Sequence, residues 1–245
     1  MKKRNQTAIF KNAVCLILFV ILIYSGTKIC NWSAENTQNK NIVENINKSA
    51  ITKTDDEKNK YTVDFNLLKK QNSDTAAWIK VNGTNIEYPI VKAKDNEYYL
   101  THSFDKSNNS AGWIFADYKN KFDGTDKNIV LYGHNRKDKS MFGSLKNILS
   151  SDWQNNIENT EITFISENEN CVYKVFSVYQ IEKEDYYIKT NFTSNNEFEK
   201  FLETIKTRSV KNFEIPISAE DSILTLSTCA ANDNYRIVLH AKKLN

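Results

Sequence analysis

The chain has 245 residues, 40% hydrophobic and 26% charged, with only 6 Gly and 2 Pro. These values exclude a collagen-like chain, a low-complexity chain and a polytopic membrane protein, and four cysteines are too few for a disulfide-stapled scaffold. The net charge is +3, but Lys2, Lys3, Arg4, Lys11 and Lys28 lie in an acid-free amino-terminal stretch, so the remainder holds 28 bases against 30 acids and has no basic excess to offer nucleic acid.

Residues 13–24, AVCLILFVILIY, are apolar without interruption, and Lys11 and Lys28 bracket 16 uncharged residues. Such a helix covers roughly 24 Å, and snorkelling lysines extend it toward the ~30 Å of a bilayer core. Residues 9–30 therefore read as an uncleaved, single-pass signal anchor. Residues 1–8 form a cytoplasmic tail held by Lys2, Lys3 and Arg4, and the rest of the chain lies outside the cell. A cleaved signal peptide is the competing reading, with only Ser25 and Thr27 as a poor cleavage site. A buried core helix fits the charged flanks badly. Thr27-Lys28-Ile29 is not the small-residue context expected before a lipidated Cys30. Cys15 falls within the span.

Residues 31–63 read as an extracellular stalk or amino-terminal helical segment, rich in Asn, Lys, Ser, Thr and acids up to residue 60. A domain follows over 64–245. Asp64 is placed to cap a short helix carrying Phe65, Leu67 and Leu68. Residues 77–82 and 85–91 flank Gly83-Thr84 and suggest a hairpin. Further strand-like runs are 112–116, 128–132, 160–165, 171–181, 222–228 and 235–241. Helical periodicity is visible at 141–149 and at 195–206, where Phe198, Phe201, Leu202 and Ile205 share a face. Many short strands with few helices predict a mostly β fold, a barrel or a sandwich.

Cys229 ends the strand LTLSTC. A period of two sets Leu224, Leu226 and Thr228 on one face and Thr225, Ser227 and Cys229 on the other. A thiol at a strand end can be an inert small hydrophobe, as Cys171 in its strand-like run is read to be. His134 follows the strand NIVLYG and projects from its end. Taken alone it is equally a solvated loop histidine, and His102 and His240 carry no stronger signal. Arg236 opens the last strand seven residues after Cys229, and alone reads as a surface arginine on an edge strand. Together the three supply a nucleophile, a proton donor and a cationic stabiliser at strand ends of one domain. The histidines lack metal-ligand spacing, no calcium-loop pattern of carboxylates stands out, and no cofactor motif is visible.

These residues resemble the sortases, cysteine transpeptidases of the Gram-positive membrane. The resemblance is carried by TLSTC (225–229) followed by Arg236, with YGH (132–134) upstream. WIKVNGTNIEYPIV (78–91), KDNEYYL (94–100), GWIFADYKN (112–120), YGHN with MFGSL soon after (132–145) and DYYIKTNF (185–192) point to class B, over about residues 64–243. The segment 195–206 matches the helical insertion of that class.

The resemblance implies an eight-stranded β-barrel with amino-terminal helices and catalytic roles for Cys229, His134 and Arg236. It also implies a substrate groove lined by Asn96, Leu100, Tyr132, Tyr187, Ile188 and Ser227. The implied activity is cleavage of a C-terminal sorting motif, NPxTN-like or PxTG-like, in secreted surface proteins through a Cys229 thioester. Transfer to an amine of a peptidoglycan precursor or cross-bridge follows. A membrane-tethered cysteine peptidase, a pilin-polymerising sortase and a non-enzymatic surface module are the alternatives. No carboxylate neighbours His134 in sequence, so a dyad with an arginine is expected rather than a triad. The loop after Cys229 is short, with Ala230 and Ala231 where some relatives are longer and more acidic.

Overall fold

The computed structural model describes residues 2–54, 60–229 and 234–244, with residues 2–9 and Cys229 described by backbone alone. The chain divides into two compact units, 1–41 and 42–245. In the first, helix α1 (Lys2–Ser49) leaves Leu16 to Tyr24 exposed. Among the described residues α1 is the one helix long and apolar enough to cross a membrane, and its most apolar stretch has no protein cover, consistent with a single-pass anchor. The side chains of Lys2, Lys3 and Arg4 lie outside the described residues. The stretch 31–49, expected as a stalk or weakly helical spacer, is helical.

In the second unit the last turns of α1 bury Ile46, with Ile42 and Val43 packed beside it. Two short antiparallel strands follow, β1 (Ile51–Lys53) and β2 (Tyr61–Val63), which the polar sequence did not announce. Helix α2 (Phe65–Gln71) starts where expected: Asp64 accepts the Leu67 amide at 2.9 Å, and Phe65 and Leu68 are buried. Strands β3 (Thr75–Val81) and β4 (Glu87–Val91) form the expected hairpin, Lys80 opposite Glu87. Its turn needs glycine at 83, where φ is +69° and a Cβ would lie 2.7 Å from the Trp153 ring.

The remaining elements are β5 (Phe115–Ala116), β6 (Asn128–His134), α3 (Ser151–Asn155), β7 (Glu161–Ser166), β8 (Asn170–Glu182), α4 (Asn195–Thr207), β9 (Ile223–Cys229) and β10 (Tyr235–Lys243). Eight strands close a barrel in the order β10-β8-β7-β3-β4-β5-β6-β9, with β9 paired back to β10. The pairs β4–β5 and β6–β9 are parallel and the others antiparallel. The principal core includes Ile79, Leu131, Phe164, Leu224, Leu226 and Leu239. A second cluster seats Phe198, Phe201, Leu202 and Ile205 of α4 with Tyr179, Ile223 and Val238. Each such side chain contributes about 1.5–3 kcal/mol by leaving water.

Two local expectations are corrected. The strand read at 112–116 is reduced to two residues, because Gly112 turns at φ +59° and the Trp113 amide bonds the Tyr99 carbonyl at 2.9 Å instead of a ladder partner. The helix read at 141–149 is a turn followed by a 3-10 segment at 145–149, since Met141 has φ +50° and cannot start an α-helix.

Candidate active site

The site positions are gathered by strand register. Along the parallel pair β6–β9, Tyr132 lies opposite Ser227, Gly133 opposite Thr228 and His134 opposite Cys229. On the other side of β9, Val238 of β10 pairs with Ser227, and continuing that register by two residues sets Arg236 level with Cys229. Arg236 also pairs with Ile181 of β8, so β10 is flanked on both sides and Arg236 is not on an edge strand. By alternation, positions 132, 134, 227, 229 and 236 share the outer face of the barrel wall. The Cys229 thiol and residues 230 and 231 lie outside the described residues.

Gly133 explains why the strand can end as it does. A Cβ there would stand 2.8 Å from Cγ of Phe142, which is fully buried. The Phe142 amide in turn donates to the His134 carbonyl at 3.1 Å, tying the following loop under the histidine.

His134 is half-buried, and its Nε2 lies 2.7 Å from the Leu100 carbonyl oxygen. A carbonyl only accepts, so Nε2 carries a proton and Nδ1 is the nitrogen available to another group. Among the described residues no carboxylate bonds this ring. Arg236 is half-buried, and its Nη1 donates to the Tyr235 carbonyl at 3.1 Å.

The candidate groove residues fall in two groups around this wall. Tyr132 and Asn96 meet at the buried carboxylate of Asp117, each 2.9 Å from Oδ2. Tyr187 is buried, with its hydroxyl 3.0 Å from Oγ of Ser227, while Ile188 and Leu100 are half-buried.

A directed chain of hydrogen bonds fixes the Tyr187 wall. Asn128 donates through Nδ2 to the Lys189 carbonyl at 2.8 Å, so its Oδ1 accepts from Thr225 Oγ at 2.7 Å. Thr225 must then accept from His240 Nδ1, 2.8 Å away, which leaves His240 Nε2 to accept from the Tyr179 hydroxyl at 2.8 Å. Tyr186 donates to Tyr179 at 3.2 Å. Burial pushes the His240 imidazole down to about 3, so it is neutral and structural. His102 stacks on Tyr98 and takes no part in this wall. Cys171 is a buried strand residue whose thiol burial pushes up.

Sequence reasoning did not anticipate three contacts around these positions: the Leu100 carbonyl on His134, the Asp117 carboxylate between Tyr132 and Asn96, and His240 between Thr225 and Tyr179. Only Asp117 had a visible signal, an acid directly after the apolar run WIFA. The other two depend on contacts between distant segments.

A family model described as a sortase domain matches residues 79–244. The chain is 34% identical over 236 residues to sortase B of Listeria monocytogenes, covering 94% of this chain and 95% of that protein. It is similar to the crystal structure of sortase B from Bacillus anthracis in complex with AAEK1, with a TM-score of 0.75 and 33% identity over 86% of this chain and 99% of that one. A Staphylococcus aureus sortase B–substrate complex aligns with a TM-score of 0.70 and 28% identity over 90% of this chain and 98% of the other.

Proposed function

The chain belongs to the sortase family, and from that premise we propose a membrane-anchored cysteine transpeptidase that joins secreted surface proteins to the cell wall. The observation that carries this reading is the β6–β9 register that sets His134 opposite Cys229, with Arg236 one strand further on.

In the proposed reaction the Cys229 thiolate attacks a backbone carbonyl in a C-terminal sorting motif, NPxTN-like or PxTG-like. The thiolate, not the thiol, is the nucleophile. As the tetrahedral intermediate forms, the Arg236 guanidinium offsets charge on the carbonyl oxygen. His134 enters as an imidazolium. Its Nε2–H is held by the Leu100 carbonyl, so Nδ1–H is the proton delivered to the departing amine. The C–N bond breaks and a thioester remains on Cys229. An amine of a peptidoglycan precursor or cross-bridge then attacks the thioester, loses its proton to Nδ1 and leaves as an amide. One peptide bond is exchanged for another, so no external energy source is needed. The α1 anchor, amino terminus in the cytoplasm, holds the domain at the outer membrane face where both substrates meet.

The test is a panel of fluorogenic motif peptides given to the full-length chain in detergent, with and without triglycine. The reading expects motif-dependent cleavage and an amide product that requires the amine. Free acid as the main product at saturating amine would identify a peptidase instead. Undiminished turnover by Cys229→Ala would remove the nucleophile from the scheme.

A further inference from the structure

Asp117 directly follows β5 and is 4% exposed. One of its oxygens, Oδ2, accepts from both the Tyr132 hydroxyl and the Asn96 amide nitrogen, each at 2.9 Å. The other, Oδ1, accepts the Lys119 amide at 2.9 Å. Its own amide donates to the Val130 carbonyl at 2.9 Å, docking it on β6. The Asn96 orientation is determined as well, since its Oδ1 accepts the Tyr118 amide at 3.0 Å while its nitrogen faces the carboxylate.

The two groups held by Asp117 belong to the two segments that hold His134. Tyr132 is on β6, on the same strand face as His134. Asn96 begins the segment that ends at Leu100, whose carbonyl meets His134 Nε2. The contacts therefore close a ring: from His134 along β6 to Tyr132, across Asp117 to Asn96, and through residues 97–100 back to the imidazole. A buried carboxylate carries a desolvation penalty that an apolar side chain of similar size avoids, and here three donors offset it.

We propose that Asp117 is a positioning residue for His134, clamping β6 to the 96–100 segment so that the Leu100 carbonyl stays on Nε2. This rests on the reading of His134 as the proton donor. Without the clamp the 96–100 segment moves off the ring, the imidazolium loses an acceptor, and its proton is held less tightly.

The experiment uses the full-length chain in detergent with a cleavable motif peptide and triglycine, and follows kcat, KM and the pH profile of kcat/KM. The variants are Asp117→Leu, Asp117→Asn, Tyr132→Phe and the Asp117→Leu/Tyr132→Phe pair. Asp117→Leu is expected to lower kcat about tenfold and to move the limb belonging to His134 to lower pH. Asp117→Asn, which keeps an acceptor, recovers part of both. Tyr132→Phe adds nothing in the Asp117→Leu background, as groups acting through one network are not additive.

A kcat within about twofold of the parent and an unmoved limb in Asp117→Leu overturn the inference, as does full additivity of the pair. Should Asp117→Leu not fold, unchanged kcat and limbs in both Asp117→Asn and Tyr132→Phe overturn it equally. A Cys229→Ala control separates the two levels. Activity retained there defeats the catalytic reading itself, whereas an inactive control beside unperturbed Asp117 variants defeats only the clamp.

Discussion

His134 and Leu100 are joined by a 2.7 Å contact between Nε2 and a backbone carbonyl. In a Ser-His-Asp protease triad a carboxylate holds the ring through Nδ1–H and stabilises the imidazolium through charge, leaving Nε2 for the nucleophile. Here a carbonyl dipole holds Nε2–H instead, which supports the imidazolium more weakly and fixes the opposite tautomer, leaving Nδ1 for the reaction. The proposed donor is thus oriented by the main chain of a segment that no side-chain pattern reveals.

Replacing His134 with Gln removes the proton donor while keeping a polar side chain. We expect kcat for motif cleavage to fall about 10²–10⁴-fold with KM little changed. Steady-state kinetics on the full-length chain checks this, and an unaltered kcat would exclude His134 from proton transfer.

Arg236→Lys keeps the positive charge but loses the planar donor fork. If the guanidinium holds the developing oxyanion, Lys does not restore the parent rate and kcat drops by about 10²-fold. A lysine variant with parental kcat would show that charge alone suffices at this position.

His240 gives a pH dependence of stability with a definite sign. Its folded-state value is pushed down to about 3 by burial, against 6.5 when exposed, so the unfolded chain takes up the proton first. The contribution is fully present above pH 6.5 and is lost as pH falls toward 3, amounting to about 2 kcal/mol by pH 5. Urea unfolding at pH 7 and pH 5 measures it. His240→Gln should start less stable and show a flatter slope, and an equal slope in both proteins would refute the assignment.

The start of α4 carries a second pH-sensitive device. Ser194 caps the helix by accepting the Glu197 amide at 3.2 Å, and Ser194→Ala should lower stability by about 1 kcal/mol. The Glu197 carboxylate is held down to about 2, first by its hydrogen bond to Lys189 and then by the Thr193 amide and hydroxyl. That support is complete above its ordinary value of 4.5 and fades as pH drops from there to about 2. Circular dichroism of the parent and Glu197→Gln over this range should differ only in the parent's acid-dependent loss of helix.

Much of the framework was legible because it rests on local patterns. The alternation in 171–181 and 222–228, the four apolar positions of α4 and the Asp64 cap all concern residues within a few positions of each other. What the sequence concealed depends on non-local contacts or on backbone geometry. Met141 adopts a positive φ that its side chain gives no hint of, which turned an expected helix into a turn. The strand face that carries Thr225 and Ser227 is buried as well, because Tyr187 from a distant segment packs on Ser227. The role of Asp117 depends on Tyr132 and Asn96, which come from segments distant in the chain.

The parallel β6–β9 pair joins two strands separated in the chain by β7, β8 and α4, so no hairpin can nucleate it. Pairings of this kind form late, after the entropy of closing a long loop has been overcome. A nascent chain can complete the β3–β4 hairpin early, yet the wall that sets position 134 beside position 229 cannot exist until β9 has been synthesised. On the proposed reading, a chain still lacking β9 therefore has neither the nucleophile nor the paired wall on which the reaction depends.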